Sequence, residues 1–178
     1  MELVQLLKIK RFLDFVIDIL LAILAAAIAM QFIFMRSHVP TGSMIPTIAI
    51  GDQFILNRIT PYYRAPNRGE ILVFYDGTNY LIKRVIGLPG EKIDLINGDV
   101  YINNQKLDEP YLNDPHSTYP LIPSLEFPYE VPQDYFFLMG DNRFNSVDSR
   151  YFGPISKNDI VAIGGLKFFP FNDIHLLQ

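Results

Sequence analysis

The sequence contains no cysteine and only three histidines among its 178 residues. Without cysteine the chain forms no disulfides, and thiolate chemistry is excluded. The histidines His38, His116 and His175 are far apart and show no metal-ligand spacing, which argues against a zinc or di-metal centre. The sequence therefore predicts a function that requires no metal and no other cofactor.

The chain also carries little basic charge. From Ser37 onward it has 11 Lys and Arg residues against 16 Asp and Glu residues, a net charge of −5. A nucleic-acid partner requires a basic face, so this balance argues against nucleic acid. Apolar residues make up 49% of the sequence and the mean hydropathy is +0.17, which is high for a soluble protein. Much of this excess lies near the N-terminus.

Ile19–Met35 is an uncharged apolar run, and its pattern extends back to Phe12 apart from two aspartates. With this extension the segment reaches the roughly 20 residues that a membrane-spanning helix needs. Three basic residues precede it at positions 8 to 11, whereas Arg36 alone follows closely. The N-terminus is therefore expected in the cytoplasm and the rest of the chain outside.

A removable signal peptide is the competing interpretation of this segment, because Ala27-Ile28-Ala29 resembles a small-x-small cleavage site. The apolar run continues beyond these residues, which favours a retained anchor. We therefore expect a cytoplasmic N-terminus and anchor over residues 1–36 and an extracytoplasmic domain over residues 37–178.

A serine lies in the stretch Pro40–Thr47, shortly after the apolar run. Gly42 permits a sharp backbone turn and Pro46 stiffens the exit, so Ser43 could be presented as a nucleophile. An ordinary loop hydroxyl is the alternative. Ser43 is seven residues beyond Arg36, at most about 25 Å of extended chain, which places it near the outer membrane surface.

Short apolar runs bounded by glycine, proline and asparagine predict a mainly β external domain of antiparallel strands. The predicted strands are Gln53–Leu56, Glu70–Tyr75, Tyr80–Ile86, Lys92–Ile96, Asp99–Ile102, Tyr135–Met139, Ile160–Ile163 and Leu166–Phe169. Asn97-Gly98 is a strong hairpin signal between two of them. Six prolines between Pro110 and Pro132 indicate an irregular excursion, and residues 98–135 are interpreted as a small cap. The predicted fold class is an antiparallel β-sheet domain with a single N-terminal transmembrane α-helix.

Lys83 lies within the predicted strand Tyr80–Ile86, where neighbouring side chains point to opposite faces. Lys83 and Arg84 therefore cannot share an environment. Burial among apolar neighbours disfavours the ammonium form of a lysine, and a neutral amine can take the proton from a serine hydroxyl. A surface lysine on an edge strand is the alternative.

A polar stretch over residues 140–150 follows the strand predicted at Tyr135–Met139. If this stretch is extended, Ser146, Asp148 and Arg150 share one face. Asp148 and Arg150 would then pair, while Ser146 points at the amine. A solvated loop with weak ion pairs is the alternative.

His38 lies close to Ser43 in sequence, which raises a Ser-His-Asp triad as another arrangement. The residues around Ser43 do not form the Gly-x-Ser-x-Gly elbow, and His38 is also explained as a residue at the lipid headgroups. The Ser/Lys pair is therefore favoured over the triad.

In this order, behind an N-terminal anchor, the three clusters resemble a bacterial type I signal peptidase. The matching segments are TGSMIPT from Thr41, GDQFILN from Gly51, RGEILVF from Arg68, YLIKRVIGLPGE from Tyr80 and GDNRFNSVDSRYFGPI from Gly140. They run in register over most of residues 36–155, which makes the resemblance highly specific. The short external domain resembles the compact members with one membrane span.

This resemblance implies a Ser/Lys serine endopeptidase that removes N-terminal signal peptides from exported preproteins at the outer face of the bacterial cytoplasmic membrane. Ser43 would be the nucleophile and Lys83 the general base. The Ser43 backbone N–H and the Thr41 hydroxyl would form the oxyanion hole, and Ser146 would hydrogen-bond and orient Lys83. The supporting ion pairs would be Asp141 with Arg84 and Asp148 with Arg150.

Members of this family prefer small neutral residues at the first and third positions before the cut, as in Ala-x-Ala. Candidates for the shallow apolar pockets that enforce this preference are Val39, Met44, Leu81 and Ile82. Many relatives carry tyrosine where this chain has Leu81, so we expect a different pocket wall. The implied partners are preproteins with signal peptides and the lipid bilayer, with the secretion translocon as a further candidate.

Three rival interpretations accompany this one. A specialised relative that processes a single pilin or conjugation protein would carry the same motifs. A self-cleaving Ser/Lys peptidase of the SOS repressor kind shares the β architecture, but the anchor and the lack of a DNA-binding domain argue against it. A non-catalytic anchored β-domain is the third, and the intact set of Ser43, Lys83 and Ser146 argues against it.

Overall fold

An α-helix, α1, begins at Glu2 and ends at Ile33 in the computed structural model, which describes residues 2–121 and 125–177. The chain then forms strand β1 at Phe34–His38, so the helix ends two residues before the sequence-based limit at Met35. Within the described part of the chain, no helix combines the length and the apolar character that crossing a bilayer requires. The anchor helix therefore stays a prediction.

The rest of the chain is mostly β-structure. The further strands are β2 (Gln53–Asn57), β3 (Ile71–Tyr75), β4 (Tyr80–Gly87), β5 (Lys92–Ile96), β6 (Asp99–Ile102), β7 (Gln105–Lys106), β8 (Tyr129–Glu130), β9 (Tyr135–Met139), β10 (Ile155–Ser156), β11 (Ile160–Ile163), β12 (Gly165–Phe169) and β13 (His175–Leu177). The short helices are α2 (Thr60–Tyr63) and α3 (Ser149–Phe152), with 3₁₀ turns at Arg143–Asn145 and Lys157–Asp159.

The strands form three sheets in which every pair of neighbours is antiparallel, as the sequence predicts. The first sheet has the order β1-β2-β12-β13, the second β10-β9-β4-β3-β11 and the third β7-β6-β5-β8. The third sheet begins at Lys92, before the predicted cap limit at residue 98. Within it, Asn97 and Gly98 have φ values of 53° and 85° and join β5 to β6, which confirms the predicted turn.

The second sheet is buried on both faces, which explains the continuous apolar run of β3. Ile71 and Val73 pack into one core cluster with residues of the first sheet, whereas Leu72 and Phe74 pack into another. A strand covered on both faces needs apolar residues at successive positions rather than alternating ones. The neighbouring strand β4 pairs with β3 and carries Lys83 and Arg84, whose side chains are both buried.

Candidate active site

Ser43 lies in the loop between β1 and β2, which we call the serine loop (residues 39–52). Two backbone hydrogen bonds close its base, from Gly51 N to Val39 O at 3.0 Å and from Val39 N to Asp52 O at 3.1 Å. Met44, directly after the serine, is fully buried in the core. The loop is therefore held by hydrogen bonds at its base and by the packing of Met44 in the core.

Lys83 contacts Ser43 directly. The Lys83 Nζ lies 2.9 Å from the Ser43 Oγ and also donates to the Ile82 carbonyl at 3.1 Å. Lys83 is 3% exposed and Ser43 7%, so little water reaches either group. Burial lowers the pKa of Lys83 to about 8, although the charges of Asp148 and Asp141 oppose the fall.

Ser146 is buried in the middle of the polar stretch, and its Oγ has no hydrogen-bond partner among the described residues. The bond to Lys83 that the resemblance implies is therefore not formed. A Cβ on Gly140 would lie 2.3 Å from the Ser146 Oγ and 2.4 Å from the Ser43 carbonyl oxygen. The polar stretch and the serine loop are therefore in close contact at Gly140, and only glycine fits there.

Arg84 forms a buried bidentate pair with Asp141, from Nε to Oδ1 at 2.8 Å and from Nη2 to Oδ2 at 2.7 Å. Thr47 of the serine loop also donates its hydroxyl to Asp141. The Arg84 guanidinium further donates to Gly69 O and stacks on the ring of Tyr111, 4.0 Å from its centroid. This pair therefore connects the serine loop, β4 and the polar stretch.

Asp148 and Arg150 form a second buried pair, with both carboxylate oxygens 2.9 Å from guanidinium nitrogens. The condition of an extended stretch holds at Ser146 and Asp148 but not at Arg150, because Ser149–Phe152 form helix α3. Asp148 caps this helix by accepting from the Arg150 N–H, and its Oδ2 accepts from Gly140 N at 3.0 Å. Burial of the pair excludes the alternative of a solvated loop.

The predicted pocket residues divide into two groups. Val39 and Met44 are buried, and the half-buried Ile82 packs against the same cluster. Leu81 packs against the other core cluster of the central sheet, so it does not share their surroundings.

Two further candidate residues are exposed: Thr41 on the serine loop and His38 on β1. No hydrogen bond joins His38 to Ser43 within the described residues, where the Ser43 Oγ contacts the Lys83 amine instead.

The arrangement joins a buried hydroxyl to an amine that burial favours in its neutral form. A neutral amine accepts a proton, and removing the proton from a hydroxyl makes it a nucleophile. Within residues 2–121 and 125–177, no group of acidic and histidine side chains could hold a metal ion. Together, the Ser43 hydroxyl and the Lys83 amine offer nucleophilic chemistry from the chain's own side chains.

Comparison with known proteins decides the family. The family described as signal peptidase, peptidase S26, matches residues 12–169, which is most of the chain. This chain belongs to the signal peptidase family. It is accordingly a serine endopeptidase of the signal peptidase I type.

Individual signal peptidases agree with this assignment. Signal peptidase I S of Bacillus subtilis (strain 168) is 35% identical over 173 residues, which cover 94% of each chain. Signal peptidase I of Leptolyngbya laminosa is 35% identical over 152 residues, covering 79% of this chain and 71% of its own. A crystal structure of a signal peptidase I from Enterococcus faecalis V583 is 30% identical, with a TM-score of 0.50. It matches 56% of this chain and 97% of the other.

Sequence reasoning missed several residues that shape this signal peptidase site. Asn142 hydrogen-bonds to the serine loop, and Thr47 reaches the buried Asp141. Lys167, from β12, pairs with Asp52 at the base of the same loop. A signal existed for Lys167, because a lysine inside an apolar strand needs a buried partner. No such signal existed for Asn142, because its sequence neighbours are also polar and nothing in the pattern distinguishes it from them.

Proposed function

We propose that Ser43 and Lys83 form the catalytic dyad with which this signal peptidase cleaves signal peptides from exported preproteins. The observation that carries the proposal is the 2.9 Å approach of the Lys83 Nζ to the Ser43 Oγ in a buried setting. Desolvation favours the neutral amine, which is the form that a general base requires.

The reaction follows from this contact. The Lys83 amine takes the hydroxyl proton as the Ser43 oxygen attacks the scissile carbonyl carbon. The negative charge that develops on the carbonyl oxygen is stabilised by the Ser43 N–H and the Thr41 hydroxyl. The Lys83 ammonium then gives its proton to the leaving amine, and water hydrolyses the acyl-enzyme with the amine again as base.

Ser146 orients Lys83 in this proposal. Its buried hydroxyl has no partner among the described residues, and leaving such a group unpaired costs about 1–3 kcal/mol. A hydrogen bond to the Lys83 amine during the reaction would remove that cost. The pairs of Asp141 with Arg84 and of Asp148 with Arg150 hold the surrounding backbone in place.

Apolar side chains around the dyad account for a preference for small residues, as at an Ala-x-Ala site. Val39 and Met44 are buried side chains of the serine loop itself, and the half-buried Ile82 packs against the same cluster. Leu81 supplies an apolar surface on the other side of β4. Such surfaces favour small apolar side chains over charged ones, which would lose hydration without gaining a partner.

We also propose that residues 1–36 anchor the enzyme in the cytoplasmic membrane, with residues 37–178 on the outer side and residues 98–135 as a cap. Large apolar side chains of α1, including Leu20, Leu21 and Ile23, are exposed, and a lipid environment would cover them. Ser43 would then act near the bilayer, where both the signal peptide and the translocon are located. Release of the protein from membranes by alkaline carbonate would contradict the anchor.

The test of the dyad uses purified full-length protein in detergent and a preprotein with an Ala-x-Ala site. Ser43→Ala and Lys83→Ala are compared with wild type, and the cut is mapped by mass spectrometry. Both variants should lose roughly 10³-fold or more in kcat. Lys92→Ala, at an exposed lysine on β5, is the control and should keep full activity.

Two other outcomes would contradict the proposal. Cleavage that survives Lys83→Ala would overturn the dyad. A wild-type enzyme that leaves the Ala-x-Ala preprotein intact would overturn the proposed substrate range and indicate a dedicated substrate.

A further inference from the structure

Asn142 makes two hydrogen bonds to the serine loop, one from its side chain and one from its backbone. Its Nδ2 donates to Gly42 O at 3.1 Å, and its backbone N–H donates to Ser43 O at 3.0 Å. These carbonyls belong to the two peptide units on either side of the Ser43 Cα. The position of Ser43 relative to the polar stretch is therefore set by Asn142.

The Asn142 side chain does not cap the turn that follows it, although its position is that of a capping residue. It is the N-cap residue of the 3₁₀ turn Arg143–Asn145, where an asparagine usually accepts a hydrogen bond from the turn. Here the side chain makes no capping bond and donates to Gly42 O instead. The opposite amide orientation would place two acceptor oxygens against each other, so the donor must face the carbonyl.

The bond to Gly42 O has a consequence for the next residue. A trans peptide unit is planar, and its carbonyl and N–H point in opposite directions. Gly42 O and the Ser43 N–H belong to one such unit, so fixing the carbonyl fixes the direction of the N–H. The Ser43 N–H makes no hydrogen bond to any described residue, which leaves it available for a substrate.

We propose that Asn142 is a positioning residue that aims the Ser43 N–H at the oxyanion. The proposal rests on the proposed function, in which that N–H stabilises the tetrahedral intermediate. Asn142 touches no reacting atom; it acts through the Gly42–Ser43 peptide unit. A donor contributes fully only when it is held in place before the charge develops, because no energy is then spent on reorienting it.

A second hydrogen bond reaches Gly42 O from Ile45 N at 3.2 Å, but it lies within the serine loop. That bond sets the shape of the loop and moves with it. Asn142 instead follows β9, which pairs with β4 at Met139 opposite Arg84, next to Lys83. The Asn142 bonds therefore fix the serine loop relative to the strand that carries the lysine.

The experiment compares Asn142→Ala with wild type in full-length protein, using an Ala-x-Ala preprotein at a pH where Lys83 is deprotonated. We expect kcat to fall by about tenfold or more with KM within about twofold, because the N–H acts on the transition state and not on bound substrate. Asn145→Ala is the matched control. It lies in the same turn, is exposed and should keep wild-type kcat.

A pair of inhibitors separates positioning from a general loss of structure. A peptide aldehyde forms a tetrahedral adduct with an oxyanion, whereas the same peptide ending in an amide does not. Asn142→Ala should weaken binding of the aldehyde in proportion to kcat and leave binding of the amide unchanged. Asn142→Asp, which keeps the shape but removes the donor and sets a second acceptor against Gly42 O, should weaken binding of the aldehyde at least as much as Asn142→Ala.

Equal losses for both inhibitors would overturn the inference, since they would show a role in binding or folding. Unchanged kcat in an active enzyme would overturn it as well. A wild-type enzyme that cleaves no preprotein would instead contradict the proposed function itself.

Discussion

Lys83 and Ser43 are 40 positions apart in sequence, yet the Lys83 Nζ and the Ser43 Oγ lie 2.9 Å apart with little access for water. The acidic side chains nearest the amine are each occupied by an arginine: Asp141 by Arg84 and Asp148 by Arg150. These pairs leave the carboxylates less able to hold a proton on Lys83. In the proposed mechanism, the ion pairs therefore support the neutral amine as well as the fold.

Gly140 provides a direct test of how tightly the residues around the dyad are packed. In Gly140→Ala the new methyl group would overlap the Ser146 Oγ and the Ser43 carbonyl oxygen, both closer than 2.5 Å. One of these contacts is backbone, so the serine loop must move. We predict a loss of about 1–3 kcal/mol in the free energy of unfolding and, because catalysis is sensitive to small displacements, a loss of about 10²-fold in kcat.

Gly77→Ala is the control for this prediction. Gly77 has a φ of +96° in a turn, so alanine there introduces backbone strain, but a Cβ would contact nothing within 4 Å. It should lower stability without lowering kcat. Gly140→Ala with wild-type kcat and wild-type unfolding would show that the close approach is absent in solution.

At the scale of elements, the serine loop depends on β12 of the first sheet. The Lys167 Nζ lies 2.7 Å from both Asp52 and Asp173, and the Asp52 carboxylate also accepts from Ala49 N at 2.8 Å. Burial opposes the charge on Lys167, but the hydrogen bonds to Asp173 and Asp52 outweigh it and raise the pKa of the lysine. A strand thus holds the end of the loop that carries Ser43, the proposed nucleophile.

Lys167→Met should therefore be strongly destabilising. It leaves the buried Asp52 without its cation, which costs about 3–5 kcal/mol when one partner of a buried pair is removed. Chemical or thermal unfolding measures the loss, and Lys157→Met, at an exposed lysine, is the control. The double variant Asp52→Asn, Lys167→Met should recover part of the stability. A single variant as stable as wild type would contradict the role assigned to Lys167.

The elements that sequence patterns could predict are those with strong local signals. The apolar strand β3 and the turn at Asn97-Gly98 are examples, because burial on both faces and positive φ each select particular residues. Strand β1 could not be predicted from the sequence pattern, because its first residues continue the apolar run of α1. The two-residue strands β7 and β10 exist only through their partners, which no local pattern reveals.

At the scale of the whole molecule, arginines connect the excursion that follows β7 to the candidate active site. The fully buried Arg143 pairs with Glu109 and donates to Thr118, and Arg150 donates to Tyr119 O at 3.3 Å. The ring of Tyr111 covers Arg84. The excursion thus shields the ion pairs of the site from water, which strengthens them.

Contacts between segments that are distant in the sequence could not be predicted. The dyad and both ion pairs could be named because they recur as short motifs, but their burial depends on segments far away in the sequence. Arg143 and Glu109 are 34 positions apart and carry no shared pattern. Ser146 shows a further limit: the bond to Lys83 that the resemblance implies is absent, and the Ser146 Oγ has no hydrogen-bond partner among the described residues.

The central claim is that neutral Lys83 acts as the base, and the pH dependence of kcat/KM tests it most directly. Burial sets the pKa of Lys83 to about 8, so roughly a tenth of the free enzyme carries the neutral amine at pH 7 and roughly nine-tenths at pH 9. We predict that kcat/KM rises about tenfold per pH unit below pH 7 and levels off above pH 9. A profile that is flat from pH 6 to pH 10, or one that falls through pH 8, would contradict Lys83 as the base.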